Sequence, residues 1–341
     1  MVELSGGEIA GIAIAGCWLL YIIVSGLMLR FGGKGFAKDC VLSQQLRESI
    51  LIGHRGSKDE GYPENTILAF KRAIDVGVHV IELDVWLTKD RKIVVFHDGT
   101  FKRMCGGIDG HVNDLPFAEL PPIVPSEGQS KEADGLRIPL FTEVLDLIPD
   151  TMGLIVEVKQ DSEELNSMVY QLLQDHNRVS NGATCWFSLK KKINNKLQKY
   201  KDLPTICSVE ELLITYVLYF LCILPFVKVD FQIFGMAADN VDAARIKDEL
   251  KILPMWLCHV LNFFIGGRPS KLFMQPKLVD HFLRRGMCCW LLGVNEDVDI
   301  DVFPRLHATG ALTDKPEWLR NELVKPEQKR KVSTAPAPNF V

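Results

Sequence analysis

The chain has 341 residues, of which 47% are apolar, and a formal net charge of −4. That is apolar material for one large α/β domain or two ordinary ones, and the mild negative charge excludes the strongly basic field of a nucleic-acid binder. The nine cysteines are odd in number and show neither C-x-x-C pairs nor zinc-like Cys/His spacing, so they read as reduced thiols in a domain facing the cytosol.

From the N-terminus, residues 9–29 ("IAGIAIAGCWLLYIIVSGLML") carry no charge; at 1.5 Å per residue such a run spans about 30 Å, the thickness of a bilayer core. Glu3 and Glu8 precede it, where a cleaved signal peptide would carry positive charge. Arg30, Lys34, Lys38 and Arg47 follow it. The expectation is a transmembrane anchor within residues 1–31 and a linker over 32–49. Everything downstream lies on the cytosolic face of an internal membrane such as the endoplasmic reticulum.

The body then alternates strand-like and helix-like segments. Residues 50–53 form a short apolar strand. Residues 63–76 read as a helix, with Pro63 in its first turn and Gly77 as its stop. Strands follow at 80–87 and 93–96, a helix at 140–148, a strand at 154–158 and a helix at 163–176. Strands at 183–187 and 205–209 flank a basic helix at 190–200. Further on come a strand at 231–234, a helix at 277–285, a strand at 287–294 and a short helix at 302–308. Repeated βα units imply a parallel sheet, and about eight strands over residues 50–320 predict a closed (β/α)8 TIM barrel. Two apolar runs, 210–229 and 252–267, read as membrane-associating insertions, with ordinary buried helices as the alternative. The polar, Pro-rich end, 321–341, reads as disordered.

In a barrel of this kind function gathers at the C-terminal ends of the strands, and the unusual residues sit there. His54 and Arg55 close the first strand. Glu82 and Asp84 are two apart in "VIELDVWL" and share one side of the second. His97 and Asp98 end the third, and Glu157 and Lys159 are again two apart in "LIVEVK". Taken singly, a strand carboxylate is a solvated edge and a strand-end histidine a hydrogen-bonded structural group. Parallel strands buried on both faces, however, should read as continuous apolar runs. Three converging carboxylates repel unless a cation neutralises them, and oxygen-only ligands favour Mg²⁺ or Ca²⁺. His54 and His97 across that ion suit general acid and base work; Arg55 and Lys159 suit an anionic phosphate oxygen. The constellation points to metal-assisted cleavage of a phosphate ester. Glu64, Asn65, Asn295 and Asp314 form a second tier, with Asn65 at the edge of the site or capping the helix.

The strings "HRG", "PENT", "ELDVWLTKD", "VVFHD" and "VEVK" resemble the glycerophosphodiester phosphodiesterase family, most closely its membrane-anchored branch that acts as lysophospholipase D. "FVKVDFQIFGM", "LVDHFLRRGM" and "GALTDKP" follow that branch as well, so the resemblance covers residues 50–319. It implies one divalent cation, Mg²⁺ or Ca²⁺, on Glu82, Asp84 and Glu157, with His54 and His97 as acid and base and Arg55 and Lys159 on the phosphate. It also implies a cap over residues 99–135. The implied reaction is attack of a free glycerol hydroxyl on phosphorus, giving a cyclic phosphate that water opens. Lysophospholipids would yield lysophosphatidic acid and a free head-group alcohol. A phosphodiesterase for water-soluble glycerophosphodiesters and a catalytically silent membrane protein binding phospholipid are the alternatives. Leu292 stands where the family carries Trp, with Trp290 two residues earlier, and Cys105 stands where Thr is common.

Overall fold

The structure, a computed structural model, describes residues 6–31, 51–58, 61–129, 136–237 and 275–324. The expected linker at 32–49, the apolar run at 252–267 and the chain from 325 onward lie outside them.

The chain begins with α1 (Gly6–Phe31). The frame of the site follows as β1 (Leu51–His54), α2 (Ile67–Val76), β2 (Val80–Leu87), β3 (Ile93–Val95), α3 (Phe141–Leu147) and β4 (Gly153–Val158). Then come α4 (Glu163–Asp175), β5 (Thr184–Phe187), α5 (Lys191–Leu197), α6 (Val209–Phe220) and β6 (Ile233–Ala237). The last elements are α7 (Pro276–Arg284), β7 (Cys288–Leu292), α8 (Asp297–Val302), β8 (Gly310–Thr313) and α9 (Pro316–Val324).

The strands curl into one sheet in the order β5–β4–β2–β1–β8–β7–β6, all parallel along that path. Single parallel bridges from Trp186 to Thr205 and from Ile206 to Ile233 link the two outer strands. The α/β fold and the curled parallel sheet therefore match expectation. The strand expected at 205–209 is reduced to those bridges, because Ser208 caps α6 at once: its hydroxyl accepts from the Glu211 N–H, and Glu211 reaches back to the Ser208 N–H.

β3 departs from the expected pattern. It pairs antiparallel with β2, Val85 opposite Val95, so it forms a hairpin arm and not the third parallel strand. That arm carries residues 99–129, which own a separate small core of Phe96, Phe101, Met104, Cys105, Val112 and Ile123. Cys105 fills an apolar place there, fully buried. β8 and α9 are absent from the expected elements; β8 was concealed by brevity, since "GALT" is four residues with two small ones. α9 runs to Val324, so residues 321–324, expected in the disordered tail, are helical.

Among the described residues no helix is long and apolar enough to cross a membrane, and the transmembrane expectation for residues 9–29 is not borne out. What stands there is a 26-residue helix with apolar side chains bare on several sides, Trp18, Leu19, Leu20, Ile22 and Ile23 among them. It rests against α7 and the turn at Leu224–Phe226, and the Tyr21 hydroxyl donates to the Leu221 carbonyl at 2.9 Å. α6 settles half of the reading for 210–229. Tyr216 packs on Phe234 in the core, while Ile214, Val217, Phe220 and Leu221 are exposed.

Candidate active site

The site begins with a backbone turn. His54 ends β1, and Arg55 then adopts φ 55°, followed by Gly56 at φ 87°. A Cβ on Gly56 would lie 2.7 Å from the Ala69 carbonyl carbon, so only glycine passes this close to α2. The turn aims the Arg55 N–H at Glu82 Oε2, 3.0 Å away. A second left-handed residue, Asn65 (φ 56°), turns its side chain inward: its amide donates to Asp84 Oδ2 at 2.7 Å. The helix-cap reading of Asn65 and the helix start at 63 are thus corrected. Thr66 is the cap, accepting from the Ala69 N–H, and α2 starts at Ile67. An asparagine committed to the site cannot also bond its own helix.

Strand register assembles the carboxylates. His54 lies opposite Glu82, and Asp84 opposite Glu157. Oxygens of Glu82, Asp84 and Glu157 lie within 4.8 Å of one another, and all three residues are buried. Lys159 Nζ stands 3.0 Å from Asp84 Oδ1 and 2.7 Å from Glu157 Oε2, and Arg55 Nε 3.2 Å from Asp84 Oδ2. The two cations do not balance the cluster. Burial, then the adjacent Asp84, pushes Glu82 well above the usual carboxylate range. Burial and Asp84 also push Glu157 up to about 7 against the pull of Lys159. Asp84 alone is held well below its ordinary value, because Lys159 and Arg55 outweigh its burial. Asp84 Oδ1 is fully buried beside the Lys159 ammonium. Three buried carboxylates, and like-charge repulsion that two cations do not relieve, fit a hard divalent cation.

Two imidazoles flank the cluster. His54 Nε2 is 3.9 Å from Glu82 Oε2, while its Nδ1 lies 2.5 Å from Asp314 Oδ1. His97 Nδ1 lies 2.6 Å from Asp98 Oδ1. Burial, then Arg55, lowers the His54 pKa to about 4, and burial lowers that of His97, so both rings rest neutral near neutral pH. Glu64 accepts from Arg55 at 2.9 Å and from Arg103 at 2.5 Å, and Arg103 continues to Asp98 at 2.7 Å.

The acidic, basic and amide residues singled out from the sequence fall into one connected site, with Glu64, Asn65, Asp314 and Asn295 as its second rank, Asn295 joining through Asp314. Lys58 and Arg103 were missed. Each is a cation in a loop, indistinguishable from a solvated surface charge until the fold sets Lys58 beside Asp314 and Arg103 beside Glu64 and Asp98. Leu292, in the place of the family's Trp, is half-buried against Gly235, and Trp290 lies fully buried one layer deeper.

Residues 54–318 match the glycerophosphoryl diester phosphodiesterase family. The chain is 30% identical over 316 residues to lysophospholipase D GDPD1 of Rattus norvegicus, covering 89% of this chain and 94% of that one. It is 27% identical over 280 residues to human lysophospholipase D GDPD3, covering 80% and 84%. Among solved structures, an Oleispira antarctica phosphodiesterase in complex with the product sn-glycerol-3-phosphate superposes with a TM-score of 0.54 at 19% identity, covering 81% of this chain and 97% of that one. A glycerophosphodiester phosphodiesterase from Agrobacterium tumefaciens does so with 0.56 at 17%, covering 80% and 98%.

Proposed function

The chain belongs to the glycerophosphoryl diester phosphodiesterase family and is an enzyme of that family, and we propose that its substrates are lysophospholipids, cleaved to lysophosphatidic acid and the free head-group alcohol. The observation that carries the chemistry is the buried Glu82–Asp84–Glu157 cluster with an imidazole on either flank. The similarity to lysophospholipase D sequences over nearly the whole chain supports the lipid substrate.

In this reading Glu82, Asp84 and Glu157 hold one divalent cation, Mg²⁺ or Ca²⁺, which supplies charge neutralisation for the phosphate oxygens. Arg55 and Lys159 would orient the phosphate. The free glycerol hydroxyl attacks phosphorus as one imidazole Nε2 takes its proton, and the bond to the head-group oxygen breaks as the other imidazole gives that oxygen a proton. Water then opens the cyclic phosphate with the two roles exchanged. One ring, neutral at rest, begins as base; its partner must first take a proton from solvent to act as acid, and the proton gained by the first base makes it the acid of the second step.

A solved relative that holds sn-glycerol-3-phosphate as product favours a second reading, a phosphodiesterase for water-soluble glycerophosphodiesters. The two separate in one assay: release of product from lysophosphatidylcholine and from glycerophosphocholine, with Mg²⁺, Ca²⁺ or EDTA. Metal-dependent lysophosphatidic acid from the lipid, lost in His54→Ala, is expected. Turnover of the soluble diester alone would overturn the lipid assignment.

We also propose that α1 attaches the enzyme to an internal membrane, with the catalytic body on the cytosolic side. A helix apolar and exposed on several faces finds a matching solvent in lipid, and a lipid surface is where a lysophospholipid resides.

A further inference from the structure

Beyond the acid–base pair itself, and resting on the reading of His54 as one member of it, we infer that Asp314 is the positioning residue that holds His54 in its proton-accepting tautomer, with Asn295 and Lys58 holding Asp314 in turn. Asp314 lies 260 residues from His54 in sequence, and its Oδ1 stands 2.5 Å from His54 Nδ1. A carboxylate only accepts hydrogen bonds. The proton of the neutral ring therefore sits on Nδ1, leaving the Nε2 lone pair on the edge that faces Glu82, 3.9 Å away.

Asp314 is itself clamped. Its Oδ2 receives the Asn295 side-chain amide at 3.0 Å and the Lys58 ammonium at 3.1 Å. Asn295 Oδ1 in return accepts from the Asp314 backbone N–H at 2.8 Å and the Thr313 hydroxyl at 3.1 Å. The asparagine thus grips both the carboxylate and the backbone that carries it. The pairing of β1 with β8 sets the approach, because Gly53 lies opposite Thr313 and the next residue of each strand is His54 and Asp314. His97 has an acid too, but Asp98 is its own sequence neighbour and nearly a quarter exposed. Of the two, the His54 partner alone requires β1 and β8, the first and last strands in chain order, to lie in register. Asp314 touches no reacting atom; its role is to fix which nitrogen of His54 is basic.

The test uses the full-length chain, ¹⁵N-labelled at histidine, with the His54 ring signals assigned by their loss in His54→Gln. The wild type should show His54 protonated at Nδ1. In Asp314→Asn the new amide can donate to Nδ1, and the proton should move to Nε2. Such a reversal lowers kcat by roughly 10³–10⁴-fold, with KM held within about threefold because substrate contacts persist, and Asp314→Glu should recover part of the loss. Wild-type turnover of glycerophosphocholine and lysophosphatidylcholine is measured on the same preparation. If the wild type cleaves either diester and Asp314→Asn cleaves it equally fast, the positioning role is wrong. If the wild type cleaves neither, the enzymatic reading of the substrates fails, and the wild-type ring spectrum alone decides the inference: a proton on Nε2 overturns it.

Discussion

Glu64 shows how one side chain can hold two halves of a site together. Its Oε1 receives Arg55, from the turn after β1, and Arg103, from the arm beyond β3. Burial alone would raise its pKa, but the two guanidinium groups outweigh it and lower it from 4.5 to about 2. A depressed carboxylate contributes stability that is complete above its unfolded value and is lost as pH falls through the folded one. Glu64→Gln should therefore destabilise the chain by up to about 3 kcal/mol at neutral pH, since each tenfold change in proton affinity is worth about 1.4 kcal/mol. That difference should shrink steadily between about pH 4.5 and 2. Denaturant unfolding of both chains across that range checks it, and a pH-independent gap would show that Glu64 acts through packing instead. The residue-scale features that were legible in the sequence are those that break a rule. Acidic pairs inside apolar strands stand out because buried carboxylates are rare. Lys58 and Arg103 break no rule, since a cation in a polar loop is what solvent favours.

At the scale of elements, the turn between β1 and α2 is the most constrained segment of the site. Arg55 and Asn65 both adopt left-handed backbone, which non-glycine residues enter at a cost of about 1 kcal/mol or more each, and the Asn65 N–H closes the loop on the Arg55 carbonyl at 3.0 Å. Gly56 sits between them against α2. Gly56→Ala would set a methyl 2.7 Å from the Ala69 backbone at a φ of 87°. It should cost about 1–3 kcal/mol and reduce activity, because relief requires moving Arg55 off Glu82. Denaturant midpoints and initial rates measure both; an unchanged midpoint would mean that α2 slides freely away. Element boundaries in the sequence were accurate where periodicity and stop signals agreed, as for β2 and for α2 ending at Gly77. They failed where a side chain had another use, as with Asn65, and where a strand was too short to show a pattern, as with β8.

Across the whole molecule, the barrel-like sheet and α1 pose the question of where the enzyme works. If α1 binds lipid, the chain should co-sediment with sealed microsomes, and added protease should remove the catalytic body. Release into the supernatant would end the membrane assignment; protection from protease would reverse the orientation. α1 seats on the turn after α6, with Trp18, Tyr21 and Ile22 facing Phe220–Ile223 across a groove of about 470 Å³. By itself the sequence determined the fold class, the carboxylate cluster and the two imidazoles, because each is written in local terms: alternating βα pattern, parity along a strand, and charge placed where burial forbids it. Only the tertiary structure decided that β3 runs antiparallel, that Asn65 serves the site instead of its helix, and that Asp314 backs His54. Those facts depend on register between strands up to 260 residues apart, and no short stretch of chain carries the information about which distant strand will lie beside it.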